Sequence, residues 1–465
     1  MADRPNSPAT KDIAYFMHPY TDPTAHEASG PQIIQRGEGI YVYDDDGKKY
    51  IEGLAGLWYA SLGFSEERLV KAATAQMMEL PVYHTFAHRS SGPAIELAER
   101  IIQNAPAPMS KIFFTCSGSE AVDTAIKIVW YYHNAIGKPE KKKIISRRNG
   151  YHGVTVASAS LTGLKAVQTG FDLPIANLMQ TDCPHYYRFG EEGETEEQFA
   201  TRMVDNLEKQ ILEEGPDTVA AFIAEPVMGA GGVVPPPATY FDKVQPLLKK
   251  YDILFIADEV ICGFGRTGNM WGSQTYNLQP DIITMAKAIS AGYLPIAAVM
   301  FNEKIYQGLK EQSSEIGLFG HGFTYTGHPA CAAVALETQK IYEERETFKY
   351  AASVAPHFQK KLRAFEDHPL VGEVRGVGLI GAVEFVADKE TKESFDSSLK
   401  VAAFANASAY EHGLIVRALP AGDSVAFCPP LIITEKQIDD MMDCFAKALD
   451  DTGKMLAEQG IKLAS

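Results

Sequence analysis

The 465-residue sequence predicts an α/β fold, with a large domain on a mainly parallel sheet covered by helices and a smaller α/β domain beside it. Three observations carry this expectation. Beyond residue 100, short apolar runs alternate with stretches of helical periodicity, the pattern of strands joined by crossover helices. Near the start, two alternating segments flank a glycine turn. The last hundred or so residues mix helices with further short strands.

Taken in order, residues 40–43 and 48–51 alternate across Asp45-Asp46-Gly47 and read as a hairpin. Those acids lack the spaced ligands of a calcium loop. The run 111–115 is a strand leading through Ser117-Gly118-Ser119 into a helix that ends near Gly137. A second short run covers 143–147, and further strands are expected at 218–224, 253–257 and 281–285. Between them, 240–251 carries apolar residues at 241, 244, 247 and 248, one face of a helix. A long helix follows Gly327 and runs toward Arg345. Strands at 379–385, 414–418 and 425–428 complete the chain. The expected division is a segment 1–65 joining the small domain, a large domain 66–330, and a small domain 331–465.

Composition excludes several function classes. Hydrophobic residues are 46% and charged residues 22%, ordinary values for a folded protein, so disorder and a disulfide-dense scaffold are ruled out. The 43 Lys+Arg against 59 Asp+Glu give a formal charge of −16. Phosphate backbones need clustered cations, so no nucleic-acid partner is expected. The basic run Lys141 to Lys143, with Arg147 and Arg148, reads as a solvated strand entrance, and the acids 191–197 as a solvated loop or helix start. Six cysteines at 116, 183, 262, 331, 428 and 444 include no C-x-x-C. His84 and His88 lie four apart, but no metal is expected. There is no ~18-residue apolar stretch and no basic-then-apolar leader, so no membrane partner is expected and the expected location is cytoplasmic. Asn406-Ala407-Ser408 falls in a helical pattern and carries no claim of glycosylation.

Gly263-Phe264-Gly265-Arg266-Thr267-Gly268 spells a dinucleotide fingerprint, yet no amphipathic helix opens from it before Pro280. That fingerprint places pyrophosphate on a helix N-terminus, so a glycine-rich turn is preferred over a nicotinamide site. Ser117-Gly118-Ser119 offers small residues and free N–H groups between a strand and a helix, which suits a phosphate monoester. Taken alone it would be a helix cap. Asp258 ends an apolar strand at the carboxyl edge, where open α/β sheets bind ligands; its neighbour Glu259 reads as a solvated or ion-paired acid. Lys287 follows another strand and precedes Ala288 to Gly292. A buried amine there has a lowered pKa and can form an imine. Phosphate loop, strand-end acid and strand-end lysine together are what pyridoxal phosphate requires.

The sequence resembles the class III pyridoxal-phosphate aminotransferases, particularly the amine–pyruvate (omega) transaminase branch, from about Pro31 to Ala448. The resemblance rests on Cys116 to Ala121, Asn149-Gly150-Tyr151-His152-Gly153, Ala224-Glu225-Pro226, Asp258 to Gly268, Ala286-Lys287, and His321-Gly322-Phe323-Thr324. Cys116 stands where that family usually has Asn. The resemblance implies a type I fold and a homodimer with shared active sites, with a tetramer left open. It implies that Lys287 binds the cofactor covalently and shuttles a proton, and that Asp258 pairs with the pyridine nitrogen. Tyr151 and Val260 would cover the two ring faces. Ser117, Gly118 and Ser119 would bind phosphate, with Thr324 added by the partner subunit. His152 and Glu225 would line the cofactor.

By the same resemblance Trp58, Phe86, Tyr151 and Ala230 line the amine pocket, with Phe86 coming from the neighbour. Arg417 would be a mobile arginine that pairs with an acceptor carboxylate. The function implied is transfer of an amino group from a primary amine or omega-amino acid to a keto acid, with pyruvate the expected acceptor. An aminomutase, a racemase, a decarboxylating transaminase and a non-catalytic scaffold of the same fold stay open as alternatives.

Overall fold

The structure is a computed structural model of the chain and describes residues 6–461. Strands β1 (Ile34–Glu38), β2 (Tyr41–Asp44) and β3 (Lys49–Glu52) form the antiparallel start. Tyr41 pairs with Ile51 and Val42 with Tyr50, and Gly47 closes the turn with φ 83°, a conformation glycine adopts without cost. The expected hairpin is present.

The central sheet holds seven strands: β4 (Lys111–Thr115), β5 (Lys143–Arg147), β6 (Leu178–Thr181), β7 (Val219–Ala224), β8 (Leu254–Asp258), β9 (Ile282–Met285) and β10 (Ala297–Phe301). Their order is β4-β10-β9-β8-β7-β5-β6. The pairs β6–β5, β5–β7, β7–β8 and β8–β9 are parallel. β10 runs antiparallel to both β9 and β4. Every residue of β7, β8, β9 and β10 is buried, because helices cover both faces and leave no solvated side to alternate toward. On one face the helix Gly118–Ala135 packs Val122, Ile126 and Val129 against Ile256 and Ile282. On the other, helices Glu196–Glu214 and Tyr240–Lys250 pack Phe199, Leu207 and Phe241 against Phe222 and Phe255. Burying one such phenylalanine contributes roughly 1.5–3 kcal/mol. A charge at Phe222 would forfeit that and leave an unpaired ion inside the sheet.

The C-terminal part builds a second sheet from β11 (Val371–Val377), β12 (Ile380–Phe385), β14 (Arg417–Ala418) and β15 (Ser424–Phe427), while β13 (Leu414–Ile415) joins β3 in parallel. The helices Thr347–Arg363, Val401–Glu411 and Glu435–Glu458 share one hydrophobic core with these strands, and Ile40 and Ile51 of the N-terminal hairpin enter it.

Four sequence expectations change. The run 414–418 is two strands broken at Val416, the halves belonging to different sheets. Lys141 and Arg147 are buried rather than solvated. Lys141 Nζ donates to the carbonyls of Tyr251 (3.0 Å) and Asp252 (2.7 Å), and Arg147 donates to that of Glu225 (2.6 Å), which gives each buried cation a carbonyl partner, while Arg147 Nε has none among the described residues. Glu259 is fully buried, accepting from the N–H groups of Gly272 (2.9 Å) and Ser273 (2.6 Å). Burial pushes its carboxyl up to about 7. β1, β6, β10 and β11 fall in stretches where no strand was expected.

The 263–268 loop holds the expected turn. Phe264, Gly265 and Gly268 have φ of 62°, 101° and 94°, and buried Arg266 donates to the carbonyls of Leu379 (2.9 Å) and Pro429 (2.6 Å). A Cβ on Gly265 would lie 2.5 Å from Phe348, so the glycine permits close docking rather than phosphate binding. The acids 191–197 run into the helix Glu196–Glu214, whose start is fixed by a reciprocal Thr195–Gln198 cap. Among the described residues no helix is long and apolar enough to cross a membrane.

Candidate active site

Parallel strands end together, so the residues that terminate them are delivered to one sheet edge. β8 ends on Asp258, which is 3% exposed, and β9 is followed by Ala286 and Lys287. β4 ends before Ser117, whose side chain caps the helix Gly118–Ala135 by accepting from the Glu120 N–H (3.2 Å). Asp258, Lys287, Ser117, Gly118, Ser119, Tyr151, His152, Glu225 and Val260 all line one cavity of ≈ 450 Å³. That size lies in the range of small-molecule sites, roughly 300–1,000 Å³.

Within it, Asp258 Oδ2 accepts from His152 Nδ1 at 2.7 Å and Oδ1 from the Val260 N–H at 3.1 Å. The imidazole is buried, and its Nε2 has no partner among the described residues. Lys287 sits at φ 52°, a left-handed conformation that costs a non-glycine residue about 1–3 kcal/mol and persists only where the surroundings impose it. Burial lowers the pKa of its amine, opposed by the charges of Asp258 and Glu225. Glu225 is buried as well; Oε1 accepts from the Tyr151 N–H (3.0 Å) and Oε2 from the Gly229 N–H (2.8 Å). Burial raises its pKa.

The Ser117–Ser119 side is built for close approach. A Cβ on Gly118 would press on the Val260 methyls at 3.2–3.3 Å, and one on Gly153 would lie 2.6 Å from Ser119 Oγ. Ser119 Oγ also accepts from the Val154 N–H (3.1 Å), and the Cys116 N–H donates to Glu120 (2.7 Å). Burial raises the Cys116 thiol to about 11, so it stays protonated and inert. A capped helix N-terminus, a buried carboxylate and a lysine on one cavity fit the three ends of pyridoxal phosphate: phosphate, pyridine nitrogen and aldehyde.

The residues expected on the substrate side are spread more widely. Ala230 is buried in a small cluster with Ala159, Leu164 and Val167, against which Tyr151 packs. Trp58 is 2% exposed, packed with Leu54, Val227 and Ile261, in a loop where Ala55, Gly56 and Trp58 all have positive φ. Phe86 is 47% exposed and Thr324 is exposed as well, and neither lines the cavity of its own chain. They share one surface: Thr85 donates to the Thr326 carbonyl (3.2 Å), and a Cβ on Gly322 would touch Phe86 at 3.0 Å. Arg417 is half-buried, and its guanidinium has no hydrogen bond or ion pair among the described residues. Burial lowers its pKa against the influence of the Tyr151 and Tyr20 hydroxyls.

Sequence reasoning missed three contributors. Tyr59 lines the cavity, its ring held between Gly56 and Gly292, where added Cβ atoms would lie 2.6 and 2.2 Å away. Its signal was available beside Trp58. Glu52, 3% exposed, accepts from the Leu54 N–H (3.1 Å) and the Gly56 N–H, which fixes the loop carrying Trp58 and Tyr59. Tyr20 donates to the Tyr151 hydroxyl at 3.2 Å from a segment with no periodicity to mark it.

Fold and site together define a pyridoxal-phosphate enzyme of the type I fold, a mainly parallel sheet with the cofactor set at its carboxyl edge. A family model described as aminotransferase class-III matches residues 24–449, and the chain belongs to that family. It is a pyridoxal-phosphate-dependent aminotransferase. Among solved structures it is similar to the omega transaminase from Pseudomonas jessenii in complex with PMP, with TM-score 0.95 and 56% identity, covering 97% of this chain and 99% of that one. It is 53% identical to gamma aminobutyrate transaminase 3, chloroplastic, of Solanum lycopersicum over 92% of this chain and 82% of that protein. It is 50% identical to vanillin aminotransferase of Capsicum chinense, covering 92% and 93%.

Proposed function

We propose that the enzyme transfers an amino group from a primary amine or omega-amino acid to a keto acid, with pyruvate as acceptor. The observation that carries this reading is Arg417: a half-buried guanidinium without a partner among the described residues, close enough to Tyr151 and Lys287 for their charges to couple. A permanent cation that has lost part of its hydration calls for an anion, and a carboxylate matches its planar fork. The amino donor can lack a carboxylate; the acceptor supplies one.

When bound, pyridoxal phosphate supplies an aldehyde for the amine and a pyridine ring that stabilises negative charge on the substrate carbon. Ser117, Gly118 and Ser119 would hold its phosphate through the helix N-terminus, and Thr324 of the partner subunit would add a hydroxyl. Asp258 would hold the proton at the pyridine nitrogen. His152 orients that carboxylate through the 2.7 Å bond, and Glu225 fixes the Tyr151 backbone. Tyr151 and Val260 would sandwich the ring. Lys287 Nζ would hold the cofactor until the substrate amine takes its place, and the freed amine, kept neutral by burial, would then accept the proton from the substrate carbon. Trp58, Phe86, Tyr151 and Ala230 would set the shape of the amine pocket.

Phe86 and Thr324 on one exposed surface support a homodimer in which each chain completes the other's site. The entry of Ile40 and Ile51 into the C-terminal core, and the β3–β13 pair, support the division into a joining segment 1–65, a large domain 66–330 and a small domain 331–465. A cytoplasmic location is part of the same reading.

The test is product analysis of the purified holoenzyme given an aromatic amine or gamma-aminobutyrate with either pyruvate or 2-oxoglutarate. The reading expects the carbonyl product together with alanine in equal amounts. Glutamate as the only amino acid formed would reject pyruvate as acceptor. An isomerised or racemised amine, with no keto acid consumed, would favour the mutase or racemase alternatives.

A further inference from the structure

The N-terminal segment holds a second constellation, remote in sequence from the cofactor motifs. Asp12 lies in the helix Pro8–Tyr15, His18 in the loop after it, and His26 in the helix Pro23–Ser29. Asp12 Oδ1 is 2.9 Å from His18 Nε2 and 2.8 Å from His26 Nε2, and Oδ2 is 3.0 Å from His18 Nε2. The ligand-type atoms of the three residues all lie within 4.8 Å of one another. The two imidazoles pack with centroids 4.3 Å apart, and Phe16 backs His18 at 4.5 Å, so both Nε2 atoms are turned to one carboxylate. All three side chains are partly shielded, with exposures of 12–26%.

We propose that Asp12, His18 and His26 form a site for a divalent transition metal of the zinc type, which clasps the two short helices of the N-terminal segment together. Two imidazole nitrogens and one carboxylate oxygen are a ligand set zinc accepts, with water in the fourth position. Tetrahedral ligands about 2.0–2.1 Å from the ion stand about 3.3 Å apart. The observed 2.8–3.0 Å spacings therefore need to open by only a few tenths of an ångström.

A second group of this composition sharpens the contrast. His185, Glu373 and Glu384 also converge, but Arg375 pairs with both carboxylates and Arg188 with Glu384, which neutralises them. Asp12 has no Lys or Arg partner among the described residues; its only ion-pair partners are the two histidines.

The segment also has need of a clasp. Neither helix buries a residue, and at 8 and 7 residues both are far below the ~12–15 at which an isolated helix becomes even marginal. Two residues beyond His18, Tyr20 donates to the Tyr151 hydroxyl on the cavity wall. An ion at the cluster would fix the segment from which that hydroxyl is presented.

The test uses untagged holoenzyme freed of metal with a chelator, then titrated with Zn²⁺ against a chromophoric zinc indicator. One Zn²⁺ per chain is expected, with affinity reduced at least tenfold in Asp12→Ala and in the His18→Ala/His26→Ala double variant. X-ray absorption of the zinc-loaded wild type should show two imidazole ligands. Proteolytic cleavage within residues 6–30 should slow at least tenfold on zinc addition. No zinc uptake, or equal uptake by wild type and double variant, overturns the site. Uptake at these residues with unchanged cleavage overturns the clasp.

Discussion

Arg417→Ala separates the two halves of the reaction. The guanidinium occupies a half-buried position without a partner among the described residues, so part of its desolvation cost is already met before substrate arrives. A keto acid carboxylate would form two charge-assisted hydrogen bonds to it, each contributing roughly 1.5–3 kcal/mol. Truncation admits water that restores part of this, leaving a loss of about 2–4 kcal/mol. At about 1.4 kcal/mol per decade, that is roughly 30- to 1,000-fold in kcat/KM for pyruvate. An amine without a carboxylate forms no such pair and should change by less than about threefold. Single-turnover kinetics measure the halves apart: cofactor absorbance followed on adding amine to the aldehyde form, and on adding pyruvate to the amine form. Equal losses in both halves, or a pyruvate effect under threefold, would refute the carboxylate assignment.

Three further outcomes follow from the same geometry. Asp258→Asn removes the carboxylate that accepts from His152 and would hold the pyridine proton, so both half-reactions should slow by roughly 10²–10³, the scale of one lost electrostatic contact; a loss under fivefold in either half argues against it. Burial raises Glu52 to about 8, against about 4.5 in the unfolded chain, so the native state binds the extra proton between those values and stability falls as pH rises through that window. Glu52→Gln removes this titration at the cost of one mispaired backbone N–H, about 1–3 kcal/mol, and the gap in unfolding midpoint between wild type and variant should shrink from pH 5 to pH 8. A gap that stays constant would show that Glu52 does not titrate there. Gly292→Ala forces a Cβ to 2.2 Å from the Tyr59 ring at φ 77°, so thermal stability should drop by at least about 1 kcal/mol and the amine KM should rise as Tyr59 shifts; an unchanged midpoint would show that the ring moves freely.

The readable parts of this molecule are those where one residue's environment is set by its own strand. Residues 253–257 are apolar throughout, and 282–285 are apolar except for Thr284, because both sheet faces are covered, and the first charged group after each, Asp258 or Lys287, stands at the cavity edge. Ser117 to Ser119 was legible for the same reason, lying between a strand and a helix. Other features depend on pairings far apart in sequence. Nothing local tells that β10 enters between β4 and β9 in the opposite direction, or that Val416 separates two strands of different sheets. Burial of Lys141 and Arg147 was hidden because their acceptors are the backbone carbonyls of distant residues. Tyr20 and Glu52 matter through single hydrogen bonds, which leave no periodicity.

The break at Val416 has a consequence for how such an enzyme can diversify. β13 is locked in register to β3 by Leu414 and Ile415, and β14 to β15 by Arg417 and Ala418, so one residue bridges two fixed frames. Side chains alternate faces along a strand, so a single-residue insertion or deletion beside Val416 would not merely lengthen or shorten a connection. Where β14 follows the change by slipping one residue along β15, the guanidinium turns from one face of its sheet to the other and an aliphatic neighbour takes its place. Acceptor preference could thus be rewritten by a change in chain length at one point, with every residue of the cofactor cavity left as it was.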